Sequence, residues 1–104
     1  MVVRRRHSFE ERLAPGVEMR CRWETERDVV AFANVLVVAV SGAWRTVDLF
    51  DCTHNGCNDH HRYDFDGYKH PATVFHHGAP AEAHRSSMRL IRTEFERMIE
   101  RWEW

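Results

Sequence analysis

Val17–Glu24, VEMRCRWE, alternates apolar and charged residues without a break: Val17, Met19, Cys21 and Trp23 on one parity, Glu18, Arg20, Arg22 and Glu24 on the other. A period of two belongs to a strand with one buried face and one wet face. The next apolar run, residues 29–40 (VVAFANVLVVAV), is hydrophobic on both parities and rich in β-branched side chains, which reads as a central strand ending at Ser41-Gly42. A buried helix is the competing reading of so apolar a run. The turn chemistry of Ser41-Gly42 sends the chain back through Trp44 to Asp51 as a further strand.

Working outward, a loop at His54-Asn55-Gly56 leads to a second hairpin, His60 to Phe65 and Tyr68 to Phe75. Its turn is Asp66-Gly67, a dipeptide that tolerates the positive φ of a type I′ turn. Equal distances from that turn set Arg62 opposite His70 or Pro71, and Pro71 assigns the last strand to a sheet edge. Pro80 suits the first turn of a helix and Glu82 the positive end of its dipole. From there His84, Met88, Ile91, Phe95, Met98 and Trp102 recur at steps of four and three, forming one apolar stripe, with Arg85, Arg89, Arg92, Glu96 and Arg101 on the solvated side. Upstream, Ser8-Phe9-Glu10-Glu11 fits a capping box and predicts a short helix stopped by Pro15-Gly16. Residues 1–7, with Arg4-Arg5-Arg6, read as a flexible basic arm. The expected fold is α+β: one compact domain over 1–104, an antiparallel sheet of about four to five strands, and a long C-terminal helix packed on one face.

Composition narrows the function classes. The 104 residues are 43% apolar and 12% aromatic, enough for a core in one domain, and the formal net charge is -1. No global field draws such a chain to nucleic acid or anionic lipid, which leaves local patches as the only electrostatic recognition. Three cysteines form no disulfide framework, no apolar leader follows the arginine run, and 29–40 is too short to span a bilayer. A reducing cytoplasm and no membrane role are expected.

Chemistry concentrates between Asp51 and His77, which hold six of the eight histidines and two of the three cysteines, interleaved with Asp59, Arg62, Asp64 and Lys69. Cys52, His54, Cys57 and His60 or His61 make a donor set for tetrahedral zinc, but Cys-x-His-x-x-Cys-x-x-His is not a common zinc spacing. The favoured reading has no cofactor and uses acid-base chemistry on a phosphodiester. Cleaving RNA internally without metal needs a base for the 2′-hydroxyl, an acid for the leaving oxygen and a cation for the developing charge. His60, His61, His76 and His77 are the candidate acid and base, with Arg62 and Lys69 as charge stabilisers; His60, His61 and Arg62 form the centre of the expected site, with His54, His76 and Lys69 around it. Strand alternation aims His60 and His61 at opposite faces, so one cleft receives only one of them. For any single histidine, a surface role in solubility and turn bonding competes with this reading. His84, on the apolar stripe, reads as a satisfied core residue.

The order Asp51, His54, Gly56, His60-His61-Arg62-Tyr63, Gly67, Pro71, Phe75 and a closing helix resembles the TumE-type toxin family and related small bacterial domains of unknown function. The likeness spans roughly residues 17–102, with Cys52, Cys57 and extra spacing before His60 as departures from the pattern. It implies the toxin of a toxin-antitoxin pair, acting on RNA, with a cognate antitoxin as protein partner and a homodimer left open. The alternative is a non-enzymatic interaction module using a strand edge or the terminal Trp102-Glu103-Trp104.

Overall fold

Six strands and one helix follow one another along the chain: β1 (Arg5–Ala14), β2 (Val17–Glu26), β3 (Asp28–Val40), β4 (Ala43–Cys52), β5 (Asn58–Arg62), β6 (Thr73–His76) and α1 (Pro80–Trp102). They come from a computed structural model that describes residues 1–52 and 58–103. The strands pair antiparallel in chain order, a six-stranded meander β1-β2-β3-β4-β5-β6. Residues 29–40 lie in β3, a strand and not a helix.

The sheet exceeds the expected four to five strands because residues 5–14 form a strand where a basic arm and a capped helix were expected. Phe9 and Leu13, four apart, suit either structure, and the local Ser8–Glu11 signal favoured the helix. Tertiary pairing decides otherwise. Arg5 to Ala14 zip against Thr25 to Val17, with Gly16 at φ 72° closing the turn, so Phe9 and Leu13 pack against the core. Glu11 caps nothing; it receives Arg92 of α1 through three hydrogen bonds of 2.8–3.1 Å.

One face of the sheet carries Met19 and Cys21 of β2, Phe32 and Leu36 of β3 and Phe50 and Cys52 of β4, all buried under α1. The helix stripe meets them as the spacing predicts: Ile91, Met98 and Trp102 are buried, and Met88 and Phe95 pack at the margin. Asn34, the one polar residue inside 29–40, docks the helix. Its amide donates to His84 Nδ1 (3.0 Å), the His84 carbonyl (3.3 Å) and Ser87 Oγ (2.7 Å). His84 sits between Trp23 and Phe32, a buried structural imidazole.

Two departures from regular pairing set the local geometry around Asp48 and at the β5–β6 connection. Leu36 faces Asp48 but Val37 faces Thr46, so Val47 is an extra residue in β4. That bulge turns Val47 and Asp48, neighbours in sequence, both into the interior, where each is wholly buried. At the β5–β6 end, only Gly67 has positive φ (97°), and its N–H donates to the Asp64 carbonyl (2.9 Å). The reversal within that connection, between the hydrogen-bonded Asp64 and Tyr68, is therefore a three-residue loop with glycine in the left-handed position, where the dipeptide Asp66-Gly67 predicts a two-residue type I′ turn. Arg45 lies over the rings of Phe65 and Trp102 and donates to the Phe65 carbonyl, fastening this loop to the end of α1.

Candidate active site

Register alone brings the first residues together. Asp48 lies opposite Arg62 and Phe50 opposite His60, so all four project on the helix side of the sheet, Asp48 and Phe50 buried beneath α1, His60 half-buried at its margin and Arg62 exposed beyond it. The His60 ring stacks flat on Phe50, centroids 4.2 Å apart and planes 7° from parallel, and Phe75 meets Phe50 edge-on. This packing fixes the imidazole plane. Its Nε2 donates to Asp48 Oδ2 at 2.5 Å, and Arg101, in the last turn of α1, donates to both carboxylate oxygens at 2.9 Å. A fully buried carboxylate requires such charged donors, because an unpaired one would be strongly penalised. With Nε2 committed to Asp48, the acceptor lone pair of neutral His60 sits on Nδ1, which has no hydrogen-bond partner among the described residues.

A second couple stands beside it. The backbone N–H of His70 donates to the Arg62 carbonyl (2.8 Å), the pairing expected from distance to the turn, and His70 Nε2 donates to Asp64 Oδ1 (2.7 Å). Tyr68 meets the His70 ring at 5.0 Å, nearly perpendicular. His60, Arg62, His70, Pro71, Ala72 and Thr73 line one groove of about 420 Å³. The exposed Arg62 makes no ion pair among the described residues, so its guanidinium remains available to an anion. The groove thus holds two imidazoles, each oriented by a carboxylate through Nε2, and an uncommitted cation.

The other sequence candidates are distributed elsewhere. His61 projects from the opposite face, facing Leu49, and its Nδ1 donates to the His70 carbonyl (3.0 Å), so it buttresses the hairpin from behind. Lys69 influences that same far side. There Asp51 pairs in register with Asp59, and burial raises the Asp51 carboxyl above its usual range, opposed by His61 and Lys69 and reinforced by Asp59. His76 lies at the entrance to α1 with Nε2 3.4 Å from Glu82, and Asn58 donates to the His76 and Gly78 carbonyls at 3.1 and 3.0 Å. His54 and Cys57 lie outside the described residues. For the alternative zinc set this leaves Cys52, buried in the core, and His60, bonded to Asp48. Among the described residues no group of three or more histidine, cysteine or acidic side chains is placed to hold a metal. Burial pushes the Cys21 thiol up to about 12, which removes it as a nucleophile near neutral pH.

Asp48, Asp64, His70 and Arg101 were absent from the sequence candidates. His70 had a usable signal, its equal distance from the turn with Arg62. Asp48 had a weaker one, a charge inside the strand 44–51. No helix of the described residues is long and apolar enough to cross a membrane. Comparison with family models, curated proteins and solved structures finds no match, so the likeness to TumE-type toxins stands on the sequence motif alone.

Proposed function

We propose that this protein is a small toxin-like endoribonuclease that cleaves RNA by general acid-base catalysis in the groove of His60, Arg62 and His70. The observation that carries the reading is the pairing of two carboxylate-anchored histidines on one groove with an unpaired arginine between them in sequence. One imidazole takes the proton of the 2′-hydroxyl through Nδ1 as that oxygen attacks the adjacent phosphorus. The other, protonated, gives its proton to the departing 5′-oxygen. Arg62 holds the non-bridging oxygens as charge builds on them. The products are a 2′,3′-cyclic phosphate and a 5′-hydroxyl, and the two histidines end with their protonation states exchanged. Asp48 and Asp64 keep each ring in the required tautomer, as a carboxylate does for histidine in other acid-base sites. The mechanism needs no metal, and a cognate antitoxin is the protein partner that the sequence resemblance supplies.

The test is cleavage of a single-stranded RNA by chelator-treated protein, with product termini identified. Cyclic-phosphate ends are expected from the wild type. His60→Ala and His70→Ala should each lower the rate by about 10²-fold or more, whereas His61→Ala, on the far face, should stay within a few-fold. Equal losses for His60→Ala and His61→Ala, or activity that disappears with the chelator, would refute the assignment.

A further inference from the structure

The two edges of the sheet are unlike. At one end β6 is four residues long and Pro71 lies just before it, both ordinary defences against further pairing. At the other, β1 runs ten residues from Arg5 to Ala14 with no proline and, among the described residues, only β2 beside it, which leaves its outer row of N–H and C=O groups without a strand partner there. Its remaining defence is charge, and the charges are arranged as their own complement. About Ser8, the sequence Arg5-Arg6-His7-Ser8-Phe9-Glu10-Glu11 is antisymmetric in sign.

We infer that β1 is the self-association edge of this protein, pairing antiparallel with β1 of a second copy about a two-fold axis at Ser8 to make a continuous sheet across the dimer. In that register Arg6 faces Glu10, Arg5 faces Glu11, His7 faces Phe9 and Ser8 faces Ser8, each pair on one face, as cross-strand neighbours must be. The groups that would meet are free to do so. Glu10 is exposed and has no ion pair among the described residues, and Arg6, 88% exposed, touches Glu24 only at 3.9 Å. Glu11 already receives Arg92 and would gain a second guanidinium. The one like-charged pair, Arg4 with Arg12, is relieved because Arg4 is neutralised by Glu24 and Glu26 at 3.7 and 3.4 Å. Neighbouring registers are poorer. Centring on Phe9 opposes Arg6 to Arg12, and centring on His7 keeps a single opposite pair, Arg4 with Glu10.

The experiment is sedimentation equilibrium of the full chain over two decades of concentration, with charge reversal at the edge. The wild type should associate to a dimer. Arg6→Glu or Glu10→Arg alone makes both symmetric contacts repulsive and should weaken association by about 10- to 30-fold. The double variant restores opposite charges and should recover it. Both positions are exposed, and circular dichroism checks that each variant keeps its fold. Ser8→Cys should form an intermolecular disulfide on mild oxidation, because directly opposed residues bring their Cα atoms about 4.5–5.5 Å apart. Arg12→Cys, with its two copies about 27 Å apart in this register, should not cross-link above the parent protein. A monomer at every concentration, a double variant no better than the singles, or an Arg12 cross-link without one at Ser8 would each overturn the inference.

Discussion

Replacing Asp48 by asparagine tests whether the buried carboxylate organises the site or merely fills space. The side chain has no solvent exposure and accepts from His60 Nε2 at 2.5 Å and from Arg101 at 2.9 Å on both oxygens. Asparagine has the same shape but one acceptor atom and one donor. Whichever way its amide turns, Arg101 confronts an N–H at one of its two contacts, and in one of the two orientations His60 confronts it as well. Hydrogen bonds to charged groups are worth about 1.5–3 kcal/mol each, and one can still form. Arg101, with 43% of its side chain exposed, can turn to water, which spares the variant the 3–5 kcal/mol typical of a stranded buried charge. The expected loss is therefore about 2–3 kcal/mol by urea denaturation, or about 10–20 °C in Tm for a domain of this size. Cleavage measured well below that Tm should fall by about 10²- to 10⁴-fold, because His60 loses the partner that fixes its tautomer. Arg101→Met separates the two roles: it strands the buried Asp48 carboxylate with His60 as its remaining donor and should cost about 3–5 kcal/mol of stability, yet measured well below the lowered Tm it should keep the rate within about tenfold, since His60 retains its carboxylate. An Asp48→Asn protein with wild-type stability and wild-type rate would refute the reasoning.

Other outcomes follow from the same contacts. Burial, with Arg85 nearby, holds the His84 imidazole below its usual 6.5, so the unfolded chain takes up that proton first; the contribution is complete above about pH 6.5 and is lost as pH falls through the folded value. Urea midpoints should accordingly fall in mild acid, and His84→Gln, which keeps an acceptor for Asn34, should flatten that part of the curve; an unchanged slope would remove His84 as the cause. Glu11, held below its usual 4.5 mainly by its hydrogen bond with Arg92, adds a decline only in stronger acid, which Glu11→Gln should abolish. Gly78 has φ 155°, and a Cβ there would lie 3.0 Å from both Glu82 Oε2 and His76 Nε2. Those side-chain ends can yield, so the backbone dominates the cost, and Gly78→Ala should lose about 1–2 kcal/mol in chemical denaturation; a neutral or stabilised variant would show the strain argument wrong.

The legible parts of the fold are those whose signals are periodic. The alternation of 17–24, the β-branched run 29–40 and the four-three stripe from His84 to Trp102 each correspond to β2, β3 and α1. Residues 5–14 went the other way because Phe9 and Leu13 fit both periods and a capping signal is local, while strand pairing with β2 is not. The bulge at Val47 has no signature in composition. Without it the parity of Asp48 gives no reason to expect a carboxylate beneath His60. Alternation did separate His60 from His61, which project from opposite faces. Arg101 looked like part of the solvated helix face, and only the crossing of α1 over β4 brings it to Asp48. Sequence density singles out the candidate segment, and long-range packing decides which of its histidines share a groove.

In the proposed mechanism each of two imidazoles carries out one proton transfer, one as base and the other as acid. The pH dependence of kcat/KM on a single RNA substrate tests it most directly, for the wild type, His60→Ala and His70→Ala in the presence of a chelator. The wild type should give a bell, since one imidazole must be neutral while the other is protonated. Each variant should lose one limb, and the two should lose opposite limbs. A bell retained in both variants, or the same limb lost from each, would contradict the account.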